Sequence, residues 1–268
     1  MELFYRKYGQ GIPLIIVHGL YGASDNWIPI GKFLAKYFKV FLIDQRNHGR
    51  STHSDVHDYD AMVGDLLKFT KAHDIEKAIL IGHSMGGKTA IHFARKYPEK
   101  IIKLIVLDIA PKSYLQIAKE NIFELDHYSI LEAMKAIDFS KINNRNDVGK
   151  KLGETIKNEG ICQFLLKNIK KDKDKQLGWR INVNALLLNL DKILDKPHID
   201  AGRNSDRIFN LQVLFIRGAD SGYVLDADME AIRKIFPKVV MKTIDNTGHW
   251  LHAEQPKKIV STIMDFLK

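Results

Sequence analysis

Cysteine is almost absent from this chain. One residue, Cys162, stands in 268, so no internal disulfide can staple the fold, and such usage suits a reducing compartment. Long apolar runs are missing too, and none reaches the length needed to span a bilayer. The first residues, Met1-Glu2-Leu3-Phe4-Tyr5-Arg6, lack the basic-then-apolar order of a signal peptide. Together these absences predict a cytoplasmic protein with no membrane contact. No metal-ligand spacing of His and Cys and no dinucleotide glycine pattern occurs, so neither a metal nor a cofactor is implied. Acidic residues are outnumbered, 32 against 41 Lys and Arg, for a formal charge of +9. The lysines are scattered and lack the aromatic-basic motifs of nucleic-acid readers, so nucleic acid is not an expected partner. Their densest group is Lys167, Lys170, Lys171, Lys173 and Lys175, interrupted by Asp172 and Asp174. It reads as a solvated helix end or loop, with a surface that attracts anionic substrates as the alternative.

What is present centres on Ile79-Leu80-Ile81-Gly82-His83-Ser84-Met85-Gly86-Gly87-Lys88. The apolar run 78–81 predicts a buried strand, and 88–96 predicts a helix. Between them Gly82-His83-Ser84-Met85-Gly86 fits G-x-S-x-G, the nucleophile elbow, which needs a sharp turn from strand into helix. A serine on such a turn is held in strained backbone, and its neighbours two residues away must be small. The helix N-terminus then favours negative charge developing beside Ser84.

The rest of the chain alternates. Strands are expected at 2–8 (an edge), 13–17, 40–44, 101–108, 211–216 and 239–244, and helices at 26–37, 59–73, 226–236 and 256–266. Near-continuous apolar strands alternating with helices predict a mostly parallel sheet covered on both faces. From 113 to 197 no convincing buried strand occurs. Helices are expected there at 129–137, 147–158, 161–169 and 183–194. The chain therefore divides into a core, 1–112 and 201–268, and an inserted helical cap, 113–200, expected to act as a lid.

Serine is a weak nucleophile without a base, and that base needs an orienting group. Among 11 histidines, His249 lies best placed, after the last strand and before the last helix, with His252 as its rival. An oxyanion would need fixed donors. The expected ones are the backbone N–H groups of Met85, after the nucleophile, and of Leu20, after His18-Gly19. His18 and His83 are expected to shape their loops, and Asp44 and His48 to hold the turn after their strand.

These residues carry a resemblance. The runs His18-Gly19-Leu20-Tyr21-Gly22 with Asn26-Trp27, Asp44-Gln45-Arg46-Asn47-His48-Gly49-Arg50-Ser51, Gly82 to Lys88, Leu107-Asp108-Ile109-Ala110-Pro111 and Gly248-His249-Trp250-Leu251-His252-Ala253-Glu254 are similar to those of the α/β-hydrolase superfamily. Within it they resemble a branch of small intracellular serine esterases with acyl-ester and acyl-CoA thioester activity. The likeness covers both core segments and is weak across the cap. It implies an α/β-hydrolase fold and a cofactor-independent Ser-His-Asp hydrolase of a small-molecule ester or thioester, with acyl-CoA among the candidate substrates. Alternatives are a carbon–carbon bond hydrolase of the same fold and a ligand-binding, receptor-like protein of low turnover.

The resemblance leaves two acids open. Many members carry the acid after the penultimate strand, where this chain has Asp220. Alignment of the glycine and the Tyr223-Val224 pair puts Ser221 in that slot instead. The branch carries its acid in Leu-Asp-Ile-Ala-Pro, which makes Asp108 the expected acid and Asp220 the alternative.

Overall fold

The computed structural model describes residues 1–119, 126–173, 175–196, 208 and 210–268. It opens with strands β1 (Tyr5–Tyr8) and β2 (Pro13–Val17), a 3-10 turn (Ser24–Trp27), helix α1 (Ile28–Leu34) and strand β3 (Lys39–Ile43). Helix α2 (Tyr59–Ala72), strand β4 (Ala78–His83), helix α3 (Met85–Lys96) and strand β5 (Ile101–Leu107) follow. Asp58 caps α2 by accepting the N–H of Ala61 at 2.9 Å, one of the donors that a helix start leaves unpaired.

Beyond β5 come four helices, α4 (Leu115–Lys119), α5 (His127–Lys135), α6 (Arg145–Thr155) and α7 (Glu159–Leu166). A two-stranded hairpin, β6 (Ile169–Lys171) and β7 (Leu177–Trp179), leads to α8 (Val183–Leu188) and α9 (Leu190–Leu194). The chain closes with β8 (Val213–Gly218), α10 (Met229–Ile235), β9 (Val239–Ile244), α11 (Leu251–Glu254) and α12 (Pro256–Leu267). Among the described residues no helix is long and apolar enough to cross a membrane.

Seven strands form one sheet in the order β1-β3-β2-β4-β5-β8-β9, parallel throughout except for the antiparallel edge strand β1. Strand alternation decides which helices each side chain meets. Ile79, Ile81, Ile105 and Leu107 face Ile30, Leu34, Ile259 and Ile263 of α1 and α12. Leu80, Leu104 and Val106 face the opposite way, into a cluster with Met62, Leu66, Phe69, Ala90, Ile91 and Phe93 of α2 and α3. Both faces are covered, as the continuous apolar strands predict.

The segment after β5 departs from its expected form in two places. The helix expected at 161–169 stops at Leu166, and the chain turns into the short hairpin, whose Ile-Lys-Lys strand exposes both lysines and carries no alternating apolar signal. The helix expected at 183–194 breaks at Asn189, whose amide donates to Ala185 O at 2.8 Å and to Asp55 O at 2.7 Å. Leu131, Met134, Val148, Leu152 and Leu165 belong to the same buried cluster as Val106 and Ala90, so this segment shares the core of the sheet domain. The expected boundary near 200–201 lies outside the described residues, as does Asp174 in the lysine cluster.

Candidate active site

Ser84 sits between β4 and α3 with φ 52° and ψ −123°, a left-handed conformation that costs a non-glycine residue about 1–3 kcal/mol. The turn survives because the residues two positions to either side, Gly82 and Gly86, lack side chains. A Cβ on Gly82 would lie 2.3 Å from Gly86 O, and one on Gly86 would lie 2.4 Å from both Val17 O and His18 O. The Ser84 N–H donates to Leu107 O at 3.0 Å, and Lys88 N donates to Ser84 O at 3.0 Å, fixing the residue to β5 and to the first turn of α3.

His249 follows β9 and brings Nε2 to 2.9 Å from Ser84 Oγ. Its Nδ1 lies 2.8 Å from Asp108 Oδ2. Parallel pairing of Leu107 with both His83 and Ile216 puts Asp108 just beyond the sheet, beside the serine strand. Asp108 is wholly buried, and its other oxygen accepts the Gly218 N–H at 3.1 Å. Ser221 Oγ also donates to Asp108 Oδ2. Asp220, by contrast, is exposed, and its N–H donates to Thr247 O at 2.9 Å. The structure thus joins Ser84, His249 and Asp108 in one hydrogen-bonded line and turns Asp220 outward.

Other predicted residues surround this line. His83 Nε2 lies 2.8 Å from His249 O, and burial pushes the His83 imidazole well below its usual range. His252 stacks on Trp27 at 4.4 Å and 5°, and burial lowers it to about 3. Its place against Trp27 leaves the serine to His249. Sequence reasoning missed Tyr223, whose ring lies 3.8 Å from that of His249 at 17°. It also missed His127 at the start of α5. Neither carries a local signal, since their meeting with His249 joins distant segments.

The loop after β2 supplies the other side of the site. His18 Nε2 accepts from Gln45 N at 2.9 Å, which leaves Nδ1–H to donate to Gly19 O at 2.8 Å. Gly22 N donates to the same oxygen at 3.0 Å. In a trans peptide the N–H opposes the C=O, so the Leu20 N–H is turned away from both donors. His48 Nε2 accepts the Tyr21 N–H at 3.3 Å, and burial drives His48 well below its usual range, keeping it neutral. Asp44 accepts Ser24 N at 2.5 Å and Arg50 N at 2.9 Å. The Met85 N–H begins α3, among the donors a helix start leaves unpaired. Leu20, Trp27, Ser84, Ile161, Phe164 and Trp250 are among the residues lining one narrow cleft. Lys167 Nζ lies 5.8 Å from the centre of the Phe164 ring.

A buried acid–imidazole–serine line at the carboxyl ends of parallel strands can activate a hydroxyl for attack on an acyl carbon. The sequence profile of the alpha/beta hydrolase fold matches residues 12–256. The chain belongs to this family. It falls among its esterases and lipases. It is 35% identical over 266 residues to the sn-1-specific diacylglycerol lipase ABHD11 of Danio rerio, covering 97% of this chain and 80% of that protein. It is 34% identical over 254 residues to a putative esterase/lipase of Haemophilus influenzae, covering 95% of this chain and 82% of that one. A solved structure described as a marine microorganism esterase superposes with a TM-score of 0.90 at 41% identity, covering 99% of each chain.

Proposed function

We propose that this α/β hydrolase is a cofactor-independent serine esterase that cleaves small-molecule carboxylic esters, and acyl thioesters of the same acyl groups, through an acyl-enzyme. The observation that carries this reading is the line Ser84 Oγ–His249 Nε2 at 2.9 Å and His249 Nδ1–Asp108 Oδ2 at 2.8 Å, built on the strained serine turn.

In the first half-reaction Ser84 Oγ attacks the acyl carbon while its proton passes to His249 Nε2. Asp108 stabilises the imidazolium and holds its Nδ1 protonated. The carbonyl oxygen becomes an oxyanion, for which the Leu20 and Met85 N–H groups are the proposed donors. Collapse of the tetrahedral intermediate breaks the bond to the alcohol or thiol, which leaves with the proton from His249. In the second half water gives its proton to His249 and attacks the acyl carbon; collapse of this intermediate breaks the bond to Ser84 Oγ, which takes the proton back from His249 as the carboxylic acid leaves. We assign residues 113–200 as the cap of this site, because His127, Ile161 and Phe164 from that segment line the cleft.

Two measurements test the reading. A fluorophosphonate probe should label Ser84, and Ser84→Ala should lose on the order of 10⁴–10⁶ in kcat on p-nitrophenyl esters. Substantial turnover by purified Ser84→Ala would remove the covalent mechanism. The same assay run against acyl-CoA thioesters of increasing chain length assigns the leaving group and the acyl range.

A further inference from the structure

Three rings join the segment after β5 to the imidazole of the site. Tyr21 Oη lies 3.2 Å from His127 Nδ1, and His127 Nε2 lies 3.1 Å from Tyr223 Oη. The Tyr223 ring is stacked face to face on His249 at 3.8 Å. Tyr223 is itself fixed at its backbone, where its carbonyl accepts Tyr114 Oη at 2.6 Å and its N–H donates to Ser221 Oγ at 3.3 Å. His249 also meets His83, with ring centres 4.8 Å apart.

We propose that Tyr223 is a positioning residue for the base: its ring, tethered through its hydroxyl to His127, holds the His249 plane and favours the imidazolium that forms when Ser84 is deprotonated. This rests on the serine-esterase reading above. A cation lying over the face of a tyrosine is attracted to the ring quadrupole within about 6 Å of the centroid, and 3.8 Å is well inside that reach. The tether fits the protonation state of its partner. Burial lowers His127 to about 4, so the ring is neutral near pH 7. With Nδ1–H toward Tyr21, Nε2 is left to accept the Tyr223 hydroxyl. The titratable groups facing His249 are Asp108 from the end of β5, His83 from β4, His252 from α11, His127 from α5 and Tyr223 itself.

The test uses Tyr223→Leu, Tyr223→Phe, His127→Leu, His127→Gln and the double variant Tyr223→Phe/His127→Leu. Tyr223→Leu keeps the imidazole face dry but removes the quadrupole. It should lower kcat about three- to thirtyfold with little change in KM, and lower the NMR titration midpoint of the His249 imidazole by about half a unit to one and a half units. Tyr223→Phe keeps the ring and loses the tether, so its loss should be smaller. His127→Leu should match it, the double variant should lose no more than either single one, and His127→Gln, whose amide can accept the hydroxyl, should retain more activity than His127→Leu. An unchanged titration midpoint in folded Tyr223→Leu, or a loss confined to KM, overturns the proposal. If Tyr223→Leu does not fold, additive losses in the double variant overturn it instead. Absence of ester turnover in the wild type would sink the esterase reading, whereas the titration still judges the ring contact separately.

Discussion

Replacing Asp108 with asparagine changes a wholly buried group that receives hydrogen bonds from Gly218 N, His249 Nδ1 and Ser221 Oγ. An amide offers one acceptor where the carboxylate offers two. Gly218 N–H is backbone and can only donate, while a hydroxyl and an imidazole can exchange roles. The amide oxygen should therefore face Gly218, leaving its NH₂ toward His249. That contact forces the tautomer with hydrogen on Nε2, which donates to Ser84 Oγ and cannot take its proton. The imidazolium also loses its counter-charge. The expected loss is roughly 10⁴-fold in kcat, or about 5.5 kcal/mol of barrier. Asp220→Asn alters an exposed side chain, so its effect should stay within about twofold. The assay is the initial rate on a p-nitrophenyl ester with both purified variants, together with their melting curves. A crippled Asp220→Asn beside an active Asp108→Asn would refute the reasoning and move the acid to the loop after β8.

His249→Ala should lose as much kcat as Ser84→Ala, whereas His252→Ala, which removes the stack on Trp27, should cost less than about tenfold; the reverse order in ester assays would reassign the base. Burial lowers His57 to about 3, His127 to about 4 and His252 to about 3, while the unfolded chain binds these protons below about 6.5. The unfolded state therefore holds more protons between about pH 6.5 and 4, so stability falls as pH drops through that window, by on the order of 2 kcal/mol per group at about pH 5. Thermal melts that stay level from pH 7 to 5 would contradict this. Gly82→Ala would place a Cβ 2.3 Å from Gly86 O, and should destabilise the fold by about 1–3 kcal/mol with loss of activity. Equal melting temperatures would show that the elbow can widen.

The family and the elbow were legible in the chain because both rest on local requirements. Gly82 and Gly86 flank Ser84 since strand and helix approach too closely there for any Cβ, and the apolar stretches 14–17, 78–81 and 104–107 mark strand segments buried on both faces. The hairpin β6–β7 was not legible, because three residues bearing lysines have no period to read. Nor did local pattern choose between Asp108 and Asp220. Both sit in loops after strands, and only parallel pairing of β5 with β4 and β8 brings Asp108 within 2.8 Å of His249. Contacts such as Tyr223 on His249 and His127 on Tyr223 join residues 26 and 96 positions apart. Chain spacing carries periodicity over a few turns or strand residues, so the chain by itself determined most of the core elements and the turn that holds Ser84, while sheet order and the packing of the segment after β5 decided which distant side chains meet that serine.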